Sequence, residues 1–423
     1  MHLEKRKKTG RERWLLAAIA ATFSAHVGAQ DGNAGNASLG LRQAIDAAWL
    51  RQPEARSMVQ RREAAAAQRR VADAWTPEPV ALESSLRTDR LTKNRGAREV
   101  ELGVAVPLWL PGERSHSRSL ADAELALVDA KQRAAQWRIA GAVREAWWAA
   151  HKSTQDVAAA RVRFASAQQL AIDVSRRLRA GDLARADQNQ ADAAVAAAEA
   201  ELATSLAAQT QATNALRSLV GMAASGGAER LSADAEAEPA AQVSVENEHP
   251  AVAELQSRAE ASRRAQSLAR VQTRSNPELT LLATRDRGAA GEPYGQTVTL
   301  GVRLPFGSDA RSRGKAAGAA ADLLEAETAF ELERDKLAAD AEAARARLTA
   351  GRTALQANER RAQLARETKG FVQKSFRLGE SDLPTRLRVD LEAAEAERQA
   401  ARARIELAHA ISSLRQALGV LPQ

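Results

Sequence analysis

Apolar residues along this chain recur first at helical spacing, then at every second position, then at every seventh, and the succession is given twice. Helical stretches from Leu39 to Trp75 and from Pro250 to Arg274 open the two rounds. Pro77 and Pro79 end the first and Pro277 the second, because proline lacks the N–H that the helical ladder needs. The period then drops to two. Val100, Leu102, Val104, Val106 and Leu108 alternate with Glu99, Glu101, Gly103 and Ala105. Val298, Leu300, Val302, Leu304 and Phe306 alternate in the same way with Thr297, Thr299, Gly301 and Arg303. Weaker strand signals precede them at Val80 to Arg87 and Glu278 to Arg285, across polar loops containing Asn94-Arg95-Gly96 or Gly288 to Gly295. Each round therefore predicts one β-hairpin, at about 80–108 and about 278–306.

Long helices follow, Glu113 to Ala180 and Asp309 to Leu378, neither holding a proline. At about 1.5 Å per residue the first is roughly 100 Å long. A seven-residue seam of apolar or small residues runs along each, at Leu120, Leu127, Ala134, Gly141 and Trp148, and at Leu323, Phe330, Leu337, Ala344 and Gly351. Gly181 and Gly379 stop these helices, and return helices are predicted over Leu183 to Val220 and Leu383 to Leu418.

The two rounds are copies, since their landmarks share one offset of 198 residues. Pro79 matches Pro277, the strand Val100 to Pro107 matches Val298 to Pro305, and Arg179-Ala180-Gly181 matches Arg377-Leu378-Gly379. Leu216 to Gly221 matches Leu414 to Gly419. The organisation that follows is a leader over 1–29, a first repeat over 30–222, a Gly, Ala, Glu and Pro-rich linker over 223–248, and a second repeat over 249–423.

Composition sharpens this picture. Aromatics make up only 3% and there is no cysteine, so neither a large aromatic core nor disulfides hold the fold, and the helices must pack closely through alanine. The leader has the form of a secretory signal cleaved near Ala29: basic residues from Lys5 to Arg13, the apolar run Trp14 to Phe23, then Val27-Gly28-Ala29. It supplies half of the formal charge of +8. The remaining Lys and Arg alternate with Asp and Glu, as in Glu331 to Lys336, which is the pattern of a solvated helix face and excludes a nucleic-acid partner.

Strands of nine or ten residues with one apolar and one polar face fit a bilayer when tilted. Two hairpins cannot close in lipid, where each unpaired edge group costs several kcal/mol. Two chains reach the eight-stranded minimum with little lumen, and three give a twelve-stranded, water-filled pore. The trimer is the expectation. The fold class is thus mainly α with a small β part: a duplicated helix, β-hairpin, long helix and return helix unit, with a trimeric 12-stranded β-barrel continued by a long α-helical barrel.

Catalytic chemistry is not written here. His116, His151, His249 and His409 are scattered over helical segments, and no nucleophile, metalloprotease or phosphate-loop motif accompanies them. No Cys or His grouping has ligand spacing, so no cofactor and no tight metal site is expected.

On these residues the chain resembles the TolC family of outer-membrane efflux proteins. Leu41-Arg42-Gln43-Ala44-Ile45 leading to Gln52-Pro53-Glu54 resembles the family's first helix and turn. Val104-Ala105-Val106-Pro107-Leu108 resembles its strand end, and Arg179-Ala180-Gly181-Asp182-Leu183 its hairpin tip. The resemblance implies a homotrimer with its β-barrel in outer-membrane lipid and its α-barrel in the periplasm. It further implies helix tips at Arg179, Gly181, Asp182, Arg377, Gly379 and Asp382 that meet a periplasmic adaptor, and through it an inner-membrane pump. Trp109-Leu110-Pro111-Gly112-Glu113-Arg114 and the tip sequence look closest to the CzcC-like branch, which serves heavy-metal pumps of the RND type. Multidrug export or type I secretion through the same fold is the alternative cargo assignment. Asp187 fits the acidic ring expected at the periplasmic aperture, whereas Thr385-Arg386-Leu387-Arg388 puts Thr385 and Arg388 there in the second copy. A soluble periplasmic coiled-coil scaffold is the alternative of another class; it explains the long helices but not the leader or the duplicated strands.

Overall fold

The computed structural model describes residues 40–91, 94–221, 235–240, 249–307 and 309–421. The expected leader, and the expected linker apart from 235–240, lie outside the described residues. The element order is α1 (Leu41–Leu50), α2 (Pro53–Asp73), β1 (Ala81–Thr88), β2 (Arg98–Pro107), α3 (Glu113–Ala180), α4 (Arg185–Val220), α5 (Pro250–Val271), β3 (Glu278–Arg287), β4 (Gly295–Arg303), α6 (Asp309–Arg377) and α7 (Leu383–Ala417). The duplicated helix, hairpin, long helix and return helix plan is present.

Two expectations need correction. The opening stretch of the first copy is two helices, not one. Pro53 occupies the first turn of α2, and Gln52 before it is extended at φ −71°, ψ 143°. A residue preceding proline is pushed out of the helical region by the ring's Cδ, so the chain must break at Gln52 before helix can resume. The last strand is also shorter than its alternation suggests. Pairing stops at Glu278 with Arg303, immediately after Pro277, so Leu304 to Phe306 have no partner strand.

The 68 residues of α3 form the spine, since it packs against α2 and α5 at its sheet end and against α4 and α7 towards its tip. Helix α6 completes the layer, beside α5 above and α7 below. The heptad seams face these neighbours: Ala134 and Trp148 on α3, and Leu337 and Ala344 on α6, are buried. Gly141 stands where a Cβ would meet the Gln416 side chain at 2.7 Å, so a small residue there lets α7 approach closely.

Two clusters lie midway along the long helices. One joins Leu41, Ile45 and Ala48 of α1 to Val143, Trp147 and Trp148 of α3 and to Leu216 and Val220 of α4. The other joins Ala251 and Val252 of α5 to Leu337, Ala341, Ala344 and Leu348 of α6 and to Leu414 and Leu418. Between them sits a buried ion cluster. Arg144 donates to both carboxylate oxygens of Glu236 (3.0 and 2.7 Å), to the Gln416 amide oxygen (2.6 Å) and to the Val420 carbonyl (3.0 Å), while Arg415 lies 3.1 Å from Glu236. Glu236 belongs to the segment between the copies, so this contact ties that segment to both halves of the repeat.

Candidate pore sheet and helix tips

The four strands form one antiparallel sheet in the order β1-β2-β3-β4. Register fixes which side chains share a face, because opposite residues in an antiparallel pair point the same way. One face carries the rows Leu82, Val104, Leu281 and Leu300, then Ser84, Leu102, Ala283 and Val298. The other carries Glu83, Gly103, Leu282 and Thr299, then Ser85, Glu101, Thr284 and Thr297. The apolar face is the exposed one: Leu82 is 78% accessible, Leu102 55% and Leu300 70%. On the inner strands the polar face is the more covered, with Gly103 and Ala105 of β2 buried. Exposed aromatic side chains stand in the chain segments at both ends of the sheet, Trp75 and Phe306 between strand and helix and Tyr294 in the β3–β4 loop.

The polar face holds Glu83, Glu99, Glu101, Glu278 and Asp286 against Arg87 and Arg303. Arg87 lies 3.7 Å from Glu99, and Arg303 lies 3.4 Å from Glu278. Glu101 accepts from the Ser85 hydroxyl at 2.8 Å. Carboxylates remain in excess on this face. Strands β1 and β4 each have one unpaired edge. Because β1 and β4 run in opposite directions, the free edge of β4 has the polarity needed to pair antiparallel with the free edge of β1 in a second chain.

At the far end of the long helices the predicted tip residues fall into two turns. Gly181 at φ 86° and Gly379 at φ 80° occupy left-handed caps with open space around them. In the first turn the Gly181 N–H bonds the Leu178 carbonyl and the Asp182 N–H the Arg177 carbonyl; in the second, Gly379 and Glu380 bond Phe376 and Ser375 in the same way. Arg179, Asp182, Arg377 and Asp382 are all exposed.

The carboxylates of the two turns come from different positions. Asp382 caps α7 by accepting the Thr385 N–H at 3.0 Å, and the Thr385 hydroxyl and N–H hold its carboxyl below the usual range. Its counterpart at the repeat offset is Ala184, where Asp187 reaches back to accept the N–H at 2.8 Å. Asp187 and Thr385 thus both take part in capping their own helices, and Arg388 is exposed beside Glu392 at 3.1 Å.

Sequence reasoning missed the contact that joins the turns. Phe376 is buried among Leu170, Val174, Ala191 and Leu383, with the Arg177 guanidinium 4.8 Å and the Arg386 guanidinium 4.6 Å from its ring centroid. Its one signal was a lone aromatic next to a tip in an aromatic-poor chain. The histidines have local roles: His409 meets Glu145 at 2.9 Å and keeps that carboxyl low, and His249 caps α5. Among the described residues no cluster of metal-ligating side chains is present, and no helix is long and apolar enough to cross a membrane.

Comparison with known proteins bears on the origin of this arrangement. Residues 44–222 match the family model for outer membrane efflux proteins. That match spans 179 of the 423 residues, all within the first copy. The crystal structure of the outer membrane protein VceC from Vibrio cholerae aligns over 90% of this chain and 96% of its own, with a TM-score of 0.73 at 17% identity. CusC, whose structures describe folding and transmembrane channel formation, aligns over 93% and 96% with a TM-score of 0.76 at 16% identity. The open state of the MtrE outer membrane channel of Neisseria gonorrhoeae aligns over 91% and 90%, with a TM-score of 0.70 at 18% identity. At these identities the common property is the fold. No curated protein sequence matches the chain.

Proposed function

We propose that this chain is one protomer of the exit duct of a tripartite efflux system, and that three copies close a twelve-stranded barrel. The observation that carries this reading is the open four-stranded sheet, apolar on its exposed face and polar on the other, with free edges of opposite direction on β1 and β4. In lipid those edges must pair, and three copies give a barrel wide enough for water. The protein is located in the outer membrane, with its helices extending through the periplasm. A periplasmic adaptor meets the tips at Gly181 and Gly379, and an inner-membrane pump of the RND type drives transport.

The cargo we assign is heavy-metal cations. The carboxylate excess of Glu83, Glu101 and Asp286 on the face that lines the barrel supports it, since fixed negative charge raises the local concentration of cations and repels anions. The cargo is passed along and not held.

Assembly and cargo are tested separately. Detergent-extracted protein should have about three times the mass of the mature chain by light scattering, and a monodisperse monomer retaining its β signal overturns the duct. Deleting the gene should increase sensitivity to zinc, cobalt, cadmium or copper. Unchanged metal tolerance with new drug sensitivity would move the cargo, but not the duct, to the multidrug alternative.

A further inference from the structure

The outward face of the sheet changes character at its loop end. Val106, Val104, Leu102 and Val100 occupy successive outward positions on β2, roughly 20 Å of strand at about 3.4 Å per residue, and the next outward position is Arg98. Directly opposite Arg98 stands Arg287, and opposite Val100 stands Arg285. The arginine positions of the sheet that point outward are therefore gathered at one height, immediately above the apolar rows.

Like charges facing each other across a strand pair are destabilising unless an anion lies between them. None of these three guanidinium groups is ion-paired with a carboxylate among the described residues. Arg285 and Arg287 stack on Tyr294, at 4.6 and 5.1 Å from the ring centroid, and Arg287 also donates to the Gly96 carbonyl at 3.0 Å. The loop carboxylates nearby are committed to backbone: Asp89 accepts the N–H groups of Arg95 and Gly96 at 2.7 and 3.2 Å, and Glu292 that of Ala289 at 3.1 Å. Strands β2 and β3 are the inner pair, so none of the three arginines stands on a strand with a free edge.

We propose that Arg98, Arg285 and Arg287 form a binding site for the phosphorylated headgroup of an outer-leaflet lipid, whose acyl chains lie against the apolar rows below. The inference rests on the outer-membrane placement proposed above. Guanidinium groups suit the ligand because their paired N–H donors match phosphate oxygens, and Tyr294 holds two of them in a fixed plane. Charge on the opposite, polar face has the reverse sign, so the site distinguishes lipid from lumen.

The test uses full-length protein in mild detergent, with bisphosphorylated lipid A and its dephosphorylated form as probes, read by native mass spectrometry. Wild-type trimers should retain the phosphorylated lipid in preference to the dephosphorylated one. The triple variant R98Q/R285Q/R287Q should lose that retention by roughly tenfold or more, as expected when charge-assisted hydrogen bonds worth over 1.4 kcal/mol are removed. R98K/R285K/R287K should retain part of it, and R87Q on the polar face should match wild type. Should the triple variant not assemble, R98Q alone carries the same comparison, because the exposed Arg98 side chain makes no hydrogen bond or ion pair among the described residues. Equal binding by variant and wild type, or no preference for phosphate, overturns the site. Fractionation and the trimer peak are read from the same preparations, so their loss in the wild type counts against the duct, while their retention without lipid preference counts against this site alone.

Discussion

His249 closes the start of α5 in a way that only a neutral imidazole can. Its Nδ1 accepts the Ala251 N–H at 3.2 Å, its ring meets Trp137 edge-on at 4.7 Å, and it is almost completely buried. Protonating Nδ1 would set a donor against a donor. Burial accordingly pushes the imidazole below its usual 6.5, against smaller opposing pulls from the Gln416 backbone and Glu333. A depressed histidine pKa means that the unfolded chain takes up the proton first. The stabilisation is thus complete above the unfolded value and is lost as pH falls below it. The apparent melting temperature of the purified assembly should decline between about pH 7 and pH 5, the range in which an ordinary histidine titrates. In His249→Asn, which keeps a capping oxygen, that decline should flatten; a wild-type curve already flat over this range would reject the role. Glu236 makes the complementary case for charge. Its carboxylate is shared by Arg144 and Arg415, both buried, so Glu236→Ala leaves two uncompensated cations and should cost about 3–5 kcal/mol. Thermal or denaturant melts check this, and a loss below about 1 kcal/mol, the scale of an exposed pair, would mean that water replaces the carboxylate there.

Among the elements, the two tip turns show how far local sequence reaches. Glycine closes α3 and α6 because Gly181 and Gly379 themselves take positive φ, where a side chain costs roughly 1–2 kcal/mol. A Cβ added at either glycine meets nothing within 4 Å, so substitution by valine acts chiefly through the backbone. The double variant Gly181→Val/Gly379→Val should therefore form trimers and insert normally, yet lose crosslinking to the adaptor and efflux. Crosslinks at wild-type yield would place docking elsewhere. The same local logic made most boundaries legible: α3 runs from Glu113 to Ala180 and stops at Gly181, and the strands lie where period two replaces the helical period. The helical stretch read over Leu39 to Trp75 ran past Gln52, where proline breaks the helix at the residue before it, although Gln52-Pro53-Glu54 already resembled the family's turn. Local logic failed also for contacts that join distant segments. No periodicity in the linker marks Glu236 as the partner of Arg144, and none marks Phe376 as the ring between Arg177 and Arg386, because each pairing exists only once the two copies lie side by side.

At the scale of the whole molecule, the duplication explains why a single chain is incomplete. Each copy contributes one hairpin and one long coiled pair, and joining two yields a four-stranded sheet whose outer strands still expose backbone. In the proposed duct closure comes from further chains, and which face meets lipid becomes a property of the assembly. Adjacent residues of β4 make this testable, since Leu300 points to the exposed apolar face and Thr299 to the polar face. An arginine on a lipid-facing strand position near mid-bilayer costs about 2–4 kcal/mol, whereas one facing an aqueous lumen is solvated. Three copies multiply that penalty. Leu300→Arg should therefore prevent stable trimers from accumulating in the outer-membrane fraction. Thr299→Arg should leave trimer yield at wild-type level and instead reduce cation efflux, because it adds positive charge where Glu83 and Glu101 otherwise set the sign. If both variants assemble equally, the sheet does not face lipid, and the chain would be a soluble coiled-coil scaffold whose hairpins pack against something else. If both fail, the strand is too crowded for either face to be read, and the smaller pair Leu300→Asn and Thr299→Asn decides the same question by the same difference.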